Sequence, residues 1–109
     1  MLRFRAANRD IFDAIRRGTK KVETRAATER YRSIRKGDSV RLVCGTRRFE
    51  KEVIRVTFFR SIVALLKRYS PQEIHPAVRS KDELVKIYHG FPGYREKIRK
   101  HGLIALELS

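Results

Sequence analysis

Tryptophan is absent, and the chain holds one cysteine, one methionine, three prolines and six glycines. The single thiol, Cys44, excludes an intramolecular disulfide framework and a multi-thiolate metal site. Such cysteine usage suits a reducing cytosol. No apolar run approaches the ~20 residues of a membrane span. The opening Met-Leu-Arg-Phe-Arg puts arginines where a signal peptide needs uninterrupted apolar residues. The expectation is therefore a cytoplasmic protein without a membrane anchor. Linkers, repeats and low-complexity stretches are missing too, so 109 residues read as one domain spanning 1–109. Acidic side chains are scarce: 12 against 27 Lys and Arg, a formal net charge of +15.

That imbalance is the first functional signal. Residues 1–60 hold 18 basic against 7 acidic side chains, and residues 61–109 hold 9 against 5. A persistent positive field attracts phosphate polyanions, which points to RNA or a nucleotide as the partner. The plain alternative is a charged surface that keeps the protein dispersed. Five like charges never follow one another, so the excess is threaded through ordered elements and does not form a basic tail.

Leu2 and Phe4 alternate with Arg3 and Arg5 as in a half-buried strand. Asn8 is placed to cap a helix through Ile11, Phe12 and Ile15, which Gly18 closes. Residues 20–25 read as extended, and 26–36 as a basic loop anchored by Tyr31 and Ile34. Gly37-Asp38 turns the chain into a strand through Val40, Leu42 and Cys44. Gly45-Thr46 then reverses it into a long strand from about Arg47 to Phe58. Ser61 opens a helix with Ile62, Leu65 and Leu66 on one face. Ser70-Pro71-Gln72-Glu73 and Ser80-Lys81-Asp82-Glu83 are capping boxes. A helix over Tyr94–His101 ends at Gly102, and Leu103–Leu108 is a closing strand. This order predicts an α+β fold: a small β-barrel of about five to six strands flanked by short helices.

The densest polar constellation is Gly18-Thr19-Lys20-Lys21-Val22-Glu23-Thr24-Arg25. In an extended segment Lys20, Val22 and Thr24 share one face and Lys21, Glu23 and Arg25 the other; only a bulge after the Gly18 turn would bring Lys20 to Glu23. The cluster reads either as a cleft that combines proton transfer with phosphate binding, or as a solvated strand with an ion pair. Arg30, Arg32, Arg35 and Lys36 are the best non-specific phosphate contacts. Phe58 and Phe59 point opposite ways in a strand: one is core, the other a candidate stacking platform. Tyr88 reads as core, with its hydroxyl available to the cleft. His75, His89 and His101 share no metal-ligand spacing, and neither a metal nor a cofactor is expected.

Gly18-x-Lys20-x-x-Glu23-x-Arg25, followed by a basic loop and Gly37-Asp38 before a strand, resembles the ASCH domain, a family of PUA-like β-barrels. The resemblance continues through Phe59-x-Ser61-Ile62-x-x-Leu65-Leu66, with Ile62 where the family has an aromatic, then Tyr88 and Gly102-Leu103-Ile104-Ala105-Leu106. It covers nearly the whole chain. It implies a cleft beside the barrel suited to RNA, lined by Lys20, Lys21, Glu23 and Arg25, with Ser61 and Tyr88 as further contacts. Some small ASCH proteins deacetylate acetylcytidine with a lysine, a threonine and a glutamate. Lys20 matches the lysine, and Glu73 the glutamate when counted back from Tyr88. The threonine position is Glu23 here, and Thr24, one residue late, is expected on the wrong face. Other members cleave RNA. If this chain is an enzyme, the resemblance implies a hydrolase using Lys20, Glu23 and Glu73.

Overall fold

Alternating burial builds β1 (Leu2–Phe4): Leu2 is fully buried and Arg3 exposed. The computed structural model describes residues 1–109. A 3-10 turn over Ala6–Asn8 leads into α1 (Arg9–Arg17), which buries Phe12 and Ile15 and ends at Gly18, whose φ of 82° is left-handed. Asn8 stands at the N-cap position, but its side chain makes no capping bond. The chain then runs through β2 (Val22–Ala26) and a single helical turn, α2 (Glu29–Arg32), inside the segment expected to be a loop. Next come β3 (Ser39–Cys44) and β4 (Arg47–Phe59), joined by Gly45-Thr46 as the sequence predicts. Four helices follow: α3 (Ile62–Arg68), α4 (Pro71–Ile74), α5 (Lys81–Gly90) and α6 (Tyr94–His101). The chain closes with β5 (Leu103–Leu108).

The fold is α+β, a five-stranded sheet curled into a half-barrel with strand order β1-β3-β4-β5-β2. Only the β1–β3 pairing is parallel. The curl comes from β4, which pairs with β3 up to Glu52 and with β5 from Val53 onward. A register shift between Val53 and Arg55 marks the changeover, and such bulges bend a strand and raise its twist.

The sheet buries both faces. Leu42, Val53, Ile104 and Leu106 lie on the concave side with Phe12 and Ile15 of α1. Val22, Leu103 and Ala105 lie on the other with Ile62, Leu65, Leu84, Tyr88 and Ile98 from the helices. That is why β5 reads as a continuous apolar run rather than an alternation. The caps at Ser61 and Ser70 hold as the sequence implies. Ser61 accepts from the Ala64 N–H at 3.1 Å, and Ser70 and Glu73 form a complete capping box. At Ser80 the box is displaced by one residue: Glu83 takes the N–H of Arg79 at 2.7 Å. Gly102 joins α6 to β5 at φ 75° and ψ −163°, a conformation close to glycine-only. No helix is long and apolar enough to cross a membrane.

Candidate functional site

β1 and β2 are the two edges of the sheet, and the curl brings them together. Arg25 closes the seam. Its Nη2 donates to the Arg3 carbonyl at 3.1 Å, its Nη1 to the Tyr31 hydroxyl at 3.4 Å, and its Nε to Glu23 Oε2 at 2.9 Å. The guanidinium also lies 4.8 Å from the centre of the Phe4 ring and 5.8 Å from that of Tyr31.

Glu23 is held from both sides. Lys20 Nζ stands 3.3 Å from its Oε1 and also donates to the carbonyls of Val22 and Ile74. Three acceptors for three N–H donors describe an ammonium rather than a free amine. Both side chains are buried: Lys20 is 2% exposed and Glu23 6%. Burial lowers the Lys20 pKa below the ordinary lysine value, and the Glu23 carboxylate restores only part of it. Burial alone would raise Glu23. The cations Lys20 and Arg25, with the hydrogen bonds they donate, outweigh it and hold the carboxyl below its usual range. Lys20 and Glu23 thus meet, although strict alternation would put them on opposite faces, because Lys20 lies in the turn before β2 begins at Val22.

Behind this triad the seam opens into a cavity of ≈ 240 Å³. Glu23, Thr24 and Arg25 line it from β2; Arg3, Phe4 and Arg5 from β1; Leu84, Ile87 and Tyr88 from α5; and Tyr94 and Lys97 from α6. Phe91 and Pro92 of the connecting turn, Ile74 and His75 close the rest, with Asn8 and Ile11 at the α1 side. Tyr88 and Tyr94 are parallel, 6.2 Å between centroids, and Phe91 meets Tyr94 edge-on at 5.4 Å. The Tyr94 hydroxyl accepts the Ala26 N–H at 2.7 Å, which satisfies an edge-strand donor. Burial pushes the hydroxyls of Tyr88 and Tyr94 above the ordinary tyrosine value. His75 Nδ1 is buried and has no hydrogen-bond partner. Arg3, Arg5 and Lys97 are exposed at the rim, and none of their side chains is in an ion pair or a hydrogen bond.

Several expected site residues lie elsewhere. Glu73 is not in the cavity: its carboxylate accepts the Ser70 N–H at 2.9 Å, so the capping box fixes it on the far side of the α4 turn. Ser61 is likewise occupied by its cap at Ala64 and lines no part of the cavity. Lys21 is exposed beside Tyr69 and Glu107, outside it. Arg30, Arg32, Arg35 and Lys36 lie on or after α2 and are absent from the lining.

Thr24 reverses its expectation. Alternation does turn it to the helix side, where its hydroxyl pairs with that of Tyr88. It lines the cavity nonetheless, because β2 is an edge strand and the cavity wraps around its open side. The sequence reading also passed over the rim cations Arg3, Arg5 and Lys97, and Tyr94. Their signals were the period-two pair Arg3/Arg5 and the three-residue spacing of Tyr88, Phe91 and Tyr94.

The fold and site together define a small α+β domain with an aromatic, cation-rimmed cavity at the seam of a curled sheet. The chain is similar over its whole length to the crystal structure of hypothetical protein PH0355: 26% identity, TM-score 0.82, with 100% of this chain and 98% of that one covered. It is similar also to the solution structure of protein PF0455 from Pyrococcus furiosus: 23% identity, TM-score 0.76, with 99% and 94% covered. No family model matches the chain, and no curated protein matches it.

Proposed function

We propose that this protein binds RNA and seats one unpaired nucleotide at the seam, as an ASCH-like domain. The observation that carries the reading is the cavity: the aromatic rings of Tyr88, Phe91 and Tyr94 in its lining, and three unpaired cations at the rim. Its ≈ 240 Å³ lies below the ~300 Å³ at which drug-sized pockets begin. A base fits inside while its phosphates stay outside with Arg3, Arg5 and Lys97. Thr24 and Tyr88 supply hydroxyls to the lining for the base edge. Stacking and phosphate contact together are how single-stranded RNA is held.

The test measures affinity for short single-stranded RNAs, comparing wild type with Arg5→Glu/Lys97→Glu. Both positions are exposed, so the fold is retained. Reversing two rim charges is expected to abolish binding. Equal affinity in the two proteins, or no binding by wild type, refutes the reading.

A second reading is supported by one observation, the placement of Thr24 in the cavity lining next to Glu23. It is hydrolysis of acetylcytidine-type nucleosides, or of RNA. Against it stand the full coordination of Lys20 Nζ and the position of Glu73. Hydrolysis of acetylcytidine by wild type, lost in Thr24→Val and kept in Glu73→Ala, would favour this enzyme reading with Thr24 as nucleophile.

A further inference from the structure

One aromatic side chain is left unburied next to unpaired cations. Phe58 is 46% exposed, whereas Phe59 packs edge-on against Tyr69 at 6.1 Å. A single exposed apolar residue is ordinary. What surrounds Phe58 is not. The Arg32 guanidinium lies 5.5 Å from its ring centre, and Arg32 Nη2 donates to the His101 carbonyl at 3.1 Å, which holds the group in place. Arg30, Arg35 and Lys36 follow within the same segment. None of these four cations is in an ion pair, although Glu29 is adjacent in sequence.

The register ties this place to the cavity. Phe58 is opposite Ile104, and Ile104 is opposite Arg25, so the three form one cross-strand row. Residues in such a row share a face, and two strand spacings separate its ends by about 10 Å. The segment bearing α2 spans this row: Arg25 lies against Tyr31 at one end, and Arg32 against Phe58 at the other.

We infer that Phe58 and Arg32 form a second stacking platform, on which a base of the same RNA strand rests while Arg30, Arg35 and Lys36 meet its phosphates. The inference builds on the RNA-binding reading of the cavity. An aromatic ring and an arginine plane both accept any base, so the platform adds affinity and length dependence rather than sequence choice. A mononucleotide fills the cavity alone. A longer strand engages both places, and the second contact is intramolecular.

The experiment compares uridine monophosphate with hexauridylate and hexaadenylate, titrated into wild type, Phe58→Ala and Phe58→Trp. Phe58→Ala is expected to weaken both hexamers at least fivefold, the order of one lost stacking contact, and to leave mononucleotide binding unchanged. Phe58→Trp is expected to restore hexamer affinity. Hexamers bound equally by wild type and Phe58→Ala, but lost in Arg5→Glu/Lys97→Glu, would overturn the platform and leave the cavity reading standing. A wild type that binds no RNA would overturn both. Sedimentation supplies the last arm: a wild-type dimer that Phe58→Ala converts to a monomer would assign the ring to a self-contact and end the proposal.

Discussion

Replacing Glu23 by glutamine keeps the shape of the side chain and removes its charge. The change strands the Lys20 ammonium, which is 2% exposed and 3.3 Å from the lost carboxylate, and deprives Arg25 of its 2.9 Å partner. Removing one member of a buried pair costs about 3–5 kcal/mol, because the remaining charge stays desolvated. A chain of 109 residues has an unfolding entropy of about 230 cal/mol/K near its midpoint. One kcal/mol is then about 4.4 °C, and Glu23→Gln is expected to lower Tm by about 13–22 °C. The loss is a large part of the 5–15 kcal/mol typical of a domain. Lys20→Met also destabilises, since the carbonyls of Val22 and Ile74 lose their donor. The two losses should not add. The double variant removes the stranded ammonium together with its partner, so its cost falls short of the sum by at least about 1 kcal/mol. Thermal and denaturant unfolding of the four proteins decide the matter. A Glu23→Gln protein within about 1 kcal/mol of wild type, or additivity within about 0.5 kcal/mol, refutes the account of a buried, interdependent triad.

Glu23 is held below its ordinary pKa, so it supplies stability above that ordinary value that is lost as pH falls through the lower folded value; the acid limb of stability should be steeper in wild type than in Glu23→Gln. Tyr69, pushed up to about 12 by burial and by Glu107, and Tyr88, raised by burial, stay protonated in the fold while the unfolded chain ionises near 10. Stability should therefore decline as pH rises from about 10 to about 12, and Tyr88→Phe should decline less, by denaturant titration at each pH. Gly102→Ala would place a Cβ 2.4 Å from the Phe59 carbonyl oxygen at φ +75°, and is expected to cost more than the about 1–3 kcal/mol of backbone strain alone; a variant as stable as wild type would contradict this geometry. RNA affinity should fall steeply with salt, with a log–log slope of roughly −3 to −4 for about 4–6 phosphates met on a single strand, and a flat response would remove the electrostatic basis of the binding proposal.

Local signals carried most of the fold. The Gly45-Thr46 hairpin, the Ser61 and Ser70 caps and the Gly18 helix stop each depend on residues within a few positions, and each forms. The meeting of Lys20 and Glu23 was legible only in part: alternation puts them on opposite faces, and the turn after Gly18 leaves Lys20 outside β2. Cavity membership was not. Alternation assigned Thr24 to the correct face and still misjudged its access, because no local pattern says that β2 is an edge or that the curl brings β1 to it. Arg3 and Arg5 enter the site only through that closure, and Lys97 only through the packing of α6 against β2. Glu73 shows the converse: counting from Tyr88 put it in the site, and the capping box three residues back holds it away.

The placement of Arg25 changes what a substitution there would measure. Nε, Nη1 and Nη2 are each committed, to Glu23, Tyr31 and the Arg3 carbonyl, and the plane lies against Phe4. Contact between Arg25 and a base edge would require breaking the bonds that join the two sheet edges. Its first role is therefore to close the seam, and Lys20 has the same role at the α4 side through Ile74. Within the Gly18–Arg25 segment, Thr24 lines the cavity, and its hydroxyl is paired with that of Tyr88, which can donate or accept. On the RNA-binding proposal, discrimination among bases would fall to Thr24 and Tyr88, and phosphate contact to the unpaired rim. Thr24→Val should change the ranking of mononucleotides at a cost of about 1–3 kcal/mol for the buried Tyr88 hydroxyl it leaves unpaired, whereas Arg25→Ala should lower stability further, before any ranking can be read. If Arg25→Ala unfolds no more easily than Thr24→Val, the seam is closed by something else, and the division of roles fails.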